Sequence, residues 1–294
     1  MTIRIGANPI GWSNDDMPEL GGETSLETCL AEAAEVGFEG MELGHKFPRE
    51  AEALRAALAP HGLACVSGWY SGALLQRDAA AELLHMRPHL DLLKSMGCDV
   101  LVFAETTGAI HGDRYEPLSQ RPVLADHEWP GFGARLTALA DATAAEGVRL
   151  AYHHHMGTIV QSGADIAALM SSTGPSVHLL LDTGHASWGG VDPAALALRH
   201  RDRIAHVHAK DVRVAVRRRA DAADWSFLQA VVEGVYTVPG DGDLDFAGVF
   251  SALGDYSGWV VVEAEQDPAR ANPLTYARLG YGTVKRILAE VSRS

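Results

Sequence analysis

The sequence predicts an α/β protein, a single (β/α)8 TIM barrel over residues 1–294, with long lid-like loops after strands 4 and 7. Three observations lead there. An Ala/Leu-rich amphipathic stretch, a Gly and a short apolar run recur as one phrase along the chain. The phrase yields eight strands, the barrel number. The apolar runs end in His, Asp and Glu, the residue types that collect where parallel strands open into a shared mouth.

The first strand is expected from Arg4 to Asn8, because Met1-Thr2-Ile3-Arg4-Ile5-Gly6 enters a strand-like alternation at once. That start leaves no room for the charged and apolar regions of a signal peptide, which reads as a cytoplasmic protein. The next helix carries Leu26, Cys29, Leu30 and Ala33 at helical spacing, with Thr24 and Glu27 placed for a capping box. Gly37, Gly62, Gly97, Gly147 and Gly258 then mark places where a helix ends and a strand starts, since Gly adopts the left-handed C′ conformation without steric cost. The strands so located run from 40 to 44, 63 to 68, 100 to 104, 149 to 153, 178 to 182, 204 to 208 and 259 to 263. Two connections are long, Thr106 to Pro130 and Asp211 to Asp243, and both follow strand ends. Tyr115, Pro117, Pro122, Trp129 and Pro130 give the first the composition of an ordered lid. Pro239-Gly240-Asp241-Gly242 is a turn signal in the second. An open doubly wound sheet is disfavoured, because no G-x-G-x-x-G follows the first strand.

Composition narrows the function. A net charge of −14 opposes nucleic-acid binding, which draws its affinity from Lys and Arg, and Arg217-Arg218-Arg219 reads as a solvated helix face. No apolar run approaches the roughly 18 residues that a membrane span needs. Cys29, Cys65 and Cys98 lie far apart within apolar segments, as buried reduced thiols do. A homo-oligomer is compatible.

The strand ends read Glu42 and His45; Trp69 and Tyr70; Glu105; His153-His154-His155; Asp182-Thr183-Gly184-His185; His206-Val207-His208-Ala209-Lys210-Asp211; and Glu263-Ala264-Glu265. Ionised groups buried at apolar strand ends cost several kcal/mol unless they are paired or bind metal. Mixed imidazole and carboxylate donors suit a borderline divalent ion such as Mn, Co, Fe or Zn. His153 and His155 share one side of their strand and His154 takes the other. Asp182 follows three leucines, which favours metal ligation over a helix N-cap, and His185 is placed to grip substrate. His206 and His208 share a face, as do Glu263 and Glu265, of which Glu263 is favoured for the metal. Glu105 and Lys210 are candidates for acid and base or for an internal ion pair. His45, Lys46, Trp69 and Tyr70 either line a sugar pocket or pack.

Longer phrases carry a resemblance. Asn8-Pro9-Ile10-Gly11-Trp12-Ser13, Leu150-Ala151-Tyr152-His153-His154-His155-Met156-Gly157, Leu181-Asp182-Thr183-Gly184-His185 and Val262-Glu263-Ala264-Glu265-Gln266-Asp267-Pro268 resemble the inosose dehydratases of bacterial myo-inositol catabolism, within the xylose isomerase-like barrels. The resemblance covers nearly the whole chain. It implies a metal held by His153, Asp182, His208 and Glu263, with His153 standing where the wider superfamily has Glu and His155 as its substitute. It also implies Mn or Co as cofactor, a polyol ketone as substrate, and loss of water from 2-keto-myo-inositol to a trihydroxycyclohexane-dione. Glu105, His185, Lys210 and Glu265 are then the candidates for proton transfer, and His45, Lys46, Trp69, Tyr70, His155 and His206 for substrate binding. The nearest rival is an inosose or ketose isomerase or epimerase with the same metal-enolate chemistry. A multi-metal phosphodiesterase on abasic DNA and a non-catalytic polyol-binding protein are the others.

Overall fold

The computed structural model describes residues 3–293; Met1 and Thr2, read above as the opening of the first alternation, and Ser294 lie outside them. Strands β1 (Ile3–Ala7), β2 (Gly40–Leu43), β3 (Ala64–Gly72), β4 (Val100–Glu105), β5 (Arg149–His153), β6 (Val177–Asp182), β7 (Ile204–Ala209) and β10 (Gly258–Val262) pair in parallel around a closed barrel. The seam is closed by β1 against β10, Ile3 facing Gly258 through Ala7 facing Val262. Crossover helices α1 (Leu26–Val36), α2 (Ala51–Leu58), α3 (Ala79–Ser95), α4 (Trp129–Ala145), α5 (Gly163–Ser172), α7 (Pro193–His200) and α10 (Phe246–Leu253) wrap it. A short helix α6 (Thr183–Trp188) precedes α7, and α11 (Pro273–Val291) follows the last strand.

Alternation along each strand divides the core in two. Leu101, Phe103, Leu150, Tyr152, Leu179, Leu181, Val260 and Val262 point outward into the layer under the helices, the largest apolar cluster. Val100, Val102, Ala151, Leu180 and Ala205 pack inside with Trp69, and Val66, Trp259 and Val261 form a second interior group. Arg4 stacks over Trp259 at 3.9 Å.

Three expectations are corrected. The α1 cap is Ser25, whose hydroxyl accepts from the Thr28 amide at 3.0 Å, so the helix starts one residue after the Thr24 capping box would put it. Strand limits shift by one residue at most, except that β3 extends to Gly72, four beyond the expected end, because its pairing with β4 continues to Glu105. The connection after β7 is no simple lid-like loop. It folds into a ribbon of β8 (Asp211–Val212) and β9 (Tyr236–Thr237) with helices α8 (Val214–Ala223) and α9 (Phe227–Val232) between them, because Val212, Phe227, Leu228, Val231 and Tyr236 make their own apolar cluster. The connection after β4 is ordered by bonds to its neighbours: Ile110 to Gly157, Arg121 to Asp165 at 2.8 Å, and Ser226 to Arg114. Cys29, Cys65 and Cys98 are free and buried, and Arg218 and Arg219 are exposed on α8. Among the described residues no helix is long and apolar enough to cross a membrane.

Candidate metal centre and active site

The same alternation turns His153, Asp182, His208 and Glu263 into the barrel mouth. Pairing sets Asp182 opposite His208 on the adjoining strand, and a register shift near Leu179 and Leu180 brings His206 opposite Leu180 on the same interior side. One donor atom from each of the four residues lies within 4.8 Å of all the others, and all four side chains are buried. Asp182 Oδ2 is 3.5 Å from His153 Nε2, 3.6 Å from His208 Nδ1 and 3.5 Å from Lys210 Nζ. His208 Nδ1 is 2.5 Å from Glu263 Oε2. Yet Asp182 Oδ2, Glu263 Oε2 and His208 Nδ1 have no partner in hydrogen-bonding geometry. Orphaned buried carboxylate oxygens aimed at one point are costly without a cation, and two nitrogens with two oxygens suit a borderline divalent ion. The residues present therefore fit a metal.

Beside this cluster stands Glu42 of β2. Its carboxylate takes His206 Nε2 at 2.8 Å, His208 Nε2 at 3.0 Å and the Asn8 amide at 2.8 Å. With Nε2 donating to Glu42, His208 turns its Nδ1 toward Asp182 and Glu263. Burial opposes charge on His208, but Glu42 and Glu263 outweigh it and hold its pKa well above the ordinary value. Burial likewise pushes Glu42 up, and His208 and His206 more than reverse it. A metal must displace the His208 proton, so its binding weakens as pH falls. Glu42→Gln is expected to lower divalent-ion affinity about 10- to 100-fold with unchanged circular dichroism, measured by calorimetric titration. Equal affinity would remove Glu42 from that role.

Lys210 binds the carboxylates together. Its wholly buried Nζ lies 2.6 Å from Glu263 Oε1, 2.7 Å from Glu265 Oε1 and 3.0 Å from His185 Nε2. Burial alone would discharge it, but Asp182, Glu263 and Glu265 raise its pKa above the ordinary lysine value, so it is a fixed cation. Gly184 makes room for its stem, since a Cβ there would sit 2.7 Å from Lys210 Cγ. His185 Nδ1 accepts from the Met156 amide at 3.2 Å and lies 3.0 Å from the Tyr236 hydroxyl. Burial and then Lys210 keep this imidazole neutral. His155 Nδ1 donates to the Met156 carbonyl at 2.8 Å, which leaves its Nε2 a free lone pair, and burial holds its pKa well down.

Glu42, His153, His155, His208 and Glu263 border a cavity of about 220 Å³ lined also by Asp15, Asp16, Trp69, Ser71, His111 and Glu265. That is room for a small molecule.

Other expected site residues stand apart from it. Glu105 points outward, as its place one residue after inward Ala104 requires, and accepts the Leu74 amide at 2.6 Å and the Thr107 amide at 3.0 Å. Tyr70 faces outward beside inward Trp69 and donates to Glu82 at 2.7 Å. Lys46 donates to the carbonyls of Gly21, Gly22 and Thr24. His45 pairs with Asp15 at 2.6 Å beside a separate small crevice. His206 is buried against Glu42, and His154, on the outer side of its strand, has no partner at either nitrogen among the described residues. Asp16, His111 and Tyr236 were not foreseen; they lie in connections without periodicity, where no sequence signal sets a side chain's direction.

The model of a family described as xylose isomerase-like TIM barrel matches residues 30–284. A rhizopine catabolism protein, MocC, of Rhizobium meliloti is 50% identical over 291 residues, covering 98% of this chain and 90% of that protein. An inosose dehydratase of Geobacillus thermodenitrificans is 46% identical over 279 residues, 94% of each chain. The solved structure of L-ribulose 3-epimerase superposes with a TM-score of 0.69 at 18% identity, over 100% of this chain and 96% of that one, a likeness of fold alone.

Proposed function

The chain belongs to the xylose isomerase-like TIM-barrel family and, within it, to the inosose dehydratase family, and from that membership we propose that it is a metal-dependent hydro-lyase removing water from 2-keto-myo-inositol to give a trihydroxycyclohexane-dione. The observation that carries the reading is 46% identity to an inosose dehydratase along nearly the full chain. The four-donor cluster supports its chemistry.

His153, Asp182, His208 and Glu263 would hold the ion, Mn or Co, which when bound polarises the ketone and acidifies the neighbouring C–H. Glu265 removes that proton: Lys210 holds its Oε1, and its Oε2 is buried without a partner beside the cavity. Lys210, permanently charged, stabilises the negative charge that develops on oxygen. His155 Nε2 takes a substrate hydroxyl proton in a hydrogen bond, and the Trp69 ring covers one face of the cavity. The same reading assigns the protein to myo-inositol catabolism in the cytoplasm, as one domain able to act as a homo-oligomer. The 50% identity to a rhizopine catabolism protein favours a second reading, a role in rhizopine breakdown.

Stripping the protein of metal and restoring single ions with 2-keto-myo-inositol tests the first reading. Dione absorbance is expected to be absent from the stripped protein and to return with Mn or Co. An epimerised product, or no turnover with any ion, would defeat it.

A further inference from the structure

The connection between β1 and α1 is built around two adjacent acids that meet different fates. Asn14, fully buried, accepts the Asp16 and Met17 amides at 2.8 Å each, and its own amide donates to Leu20. Met17 is buried, and Lys46 ties down the carbonyls of Gly21, Gly22 and Thr24. Gly21 sits at φ +75, where an added Cβ would be 2.0 Å from the Trp12 carbonyl oxygen. The backbone that presents the acids is therefore fixed. Asp15 borders the barrel-mouth cavity, but its Oδ1 is held by the His45 ring at 2.6 Å and by the His45 amide at 3.2 Å. The Asp16 carboxyl has no hydrogen-bond or ion-pair partner among the described residues and borders the cavity with Trp69, His111, His155 and Glu265.

We propose that Asp16 is the catalytic acid that protonates the departing hydroxyl, an assignment that rests on the dehydratase reading. The α C–H bond breaks, its proton going to Glu265 and its electron pair into an enolate, which then collapses to form the new C=C bond. The β C–O bond breaks with its electrons on oxygen, and the Asp16 O–H proton joins that oxygen, so that water leaves. The enol formed tautomerises to the dione. Asp16 is left as a carboxylate, and Glu265 as an acid; solvent carries the proton from one to the other. No oxidant or reductant is needed.

The surroundings suit a group that must be protonated at neutral pH. Burial first, then Glu265 across the cavity and Asp15 on the same connection, push the Asp16 pKa up to about 7. Lys210 acts against them, and Glu263 adds to them. His111 also faces the cavity, and burial holds its pKa down.

Asp16→Asn keeps the shape and removes the proton. With 2-keto-myo-inositol in deuterated solvent and Mn restored, the variant is expected to exchange the α-hydrogen within a few-fold of wild type while dione formation falls by about 10²- to 10⁴-fold. The alkaline limb of the wild-type rate profile, falling as pH rises through about 7, is expected to vanish. Asp16→Ser gives the same reading should the amide variant misfold. Wild-type dehydration by either variant overturns the assignment, as does a raised KM with kcat unchanged, which belongs to a group that only grips hydroxyls. Wild-type protein that neither exchanges nor dehydrates the ketone with any ion overturns the dehydratase reading itself, and Asp16's role with it.

Discussion

Replacing Lys210 by Met is expected to lower the melting temperature by about 10 °C and to abolish dehydration. The ammonium is wholly buried and lies within 3.5 Å of Asp182, Glu263 and Glu265. Met fills the stem but leaves three buried carboxylates facing one another without the cation between them. Removing one partner of a buried ionic set costs about 3–5 kcal/mol, and for a chain of this size each kcal/mol moves the midpoint by about 2–4 °C. The loss has a pH signature. In the variant the carboxylates take up protons more readily when folded than when unfolded, so the deficit shrinks as pH falls and grows as pH rises. A divalent ion is expected to restore part of the stability by supplying positive charge, without restoring the rate. Differential scanning calorimetry at several pH values, with and without Mn, checks all three statements. A midpoint equal to wild type would mean that the ammonium does not organise the cluster.

Asp182→Asn is expected to keep the fold and to lose the metal. The two oxygens of Asp182 do different work. Oδ1 accepts the His185 amide at 2.8 Å and caps α6, a bond that an asparagine carbonyl oxygen can still make. Oδ2 faces His153, His208 and Lys210, and in the variant becomes an NH2 that has no lone pair for a cation. Burial works against the charge on Asp182, but the Lys210 ammonium holds its pKa well below the usual carboxylate range, so wild type presents an anion at every working pH. Divalent-ion affinity is expected to fall by at least about 100-fold and kcat/KM by about 10⁴-fold, which corresponds to roughly 5.5 kcal/mol at the transition state. Calorimetric titration with Mn and steady-state kinetics read the two losses separately. Asp182→Ala removes the cap as well and is expected to cost a further ~1 kcal/mol of stability.

Much of this architecture was legible because it follows from short-range rules. Gly37, Gly62, Gly97 and Gly147 do adopt positive φ, so each marks a helix end from which a strand can be counted. Alternation then settled His153 against His154. Applied to β3 and β4 it also separates Trp69 from Tyr70, and Glu105 from the inward Val100, Val102 and Ala104, three residues whose direction was open in the sequence. Other features depend on partners far along the chain. Glu42 was visible as a polar strand tip, but its function as the acceptor for His206 and His208 joins residues 164 and 166 positions apart. The Asp211–Asp243 connection gave no regular period, and its fold comes from packing Phe227 and Leu228 against Tyr236 and Trp188. Asp16 sits in an aperiodic stretch whose conformation depends on the buried Asn14, so its direction could not be deduced from spacing.

Anomalous diffraction from crystals grown with Mn or Co, recorded at the metal's absorption edge, tests the metal centre directly. A single strong peak is expected among His153 Nε2, Asp182 Oδ2, His208 Nδ1 and Glu263 Oε2, about 2.0–2.3 Å from each. A peak seated instead between Glu42 and His206, or no peak at the barrel mouth, would contradict the account.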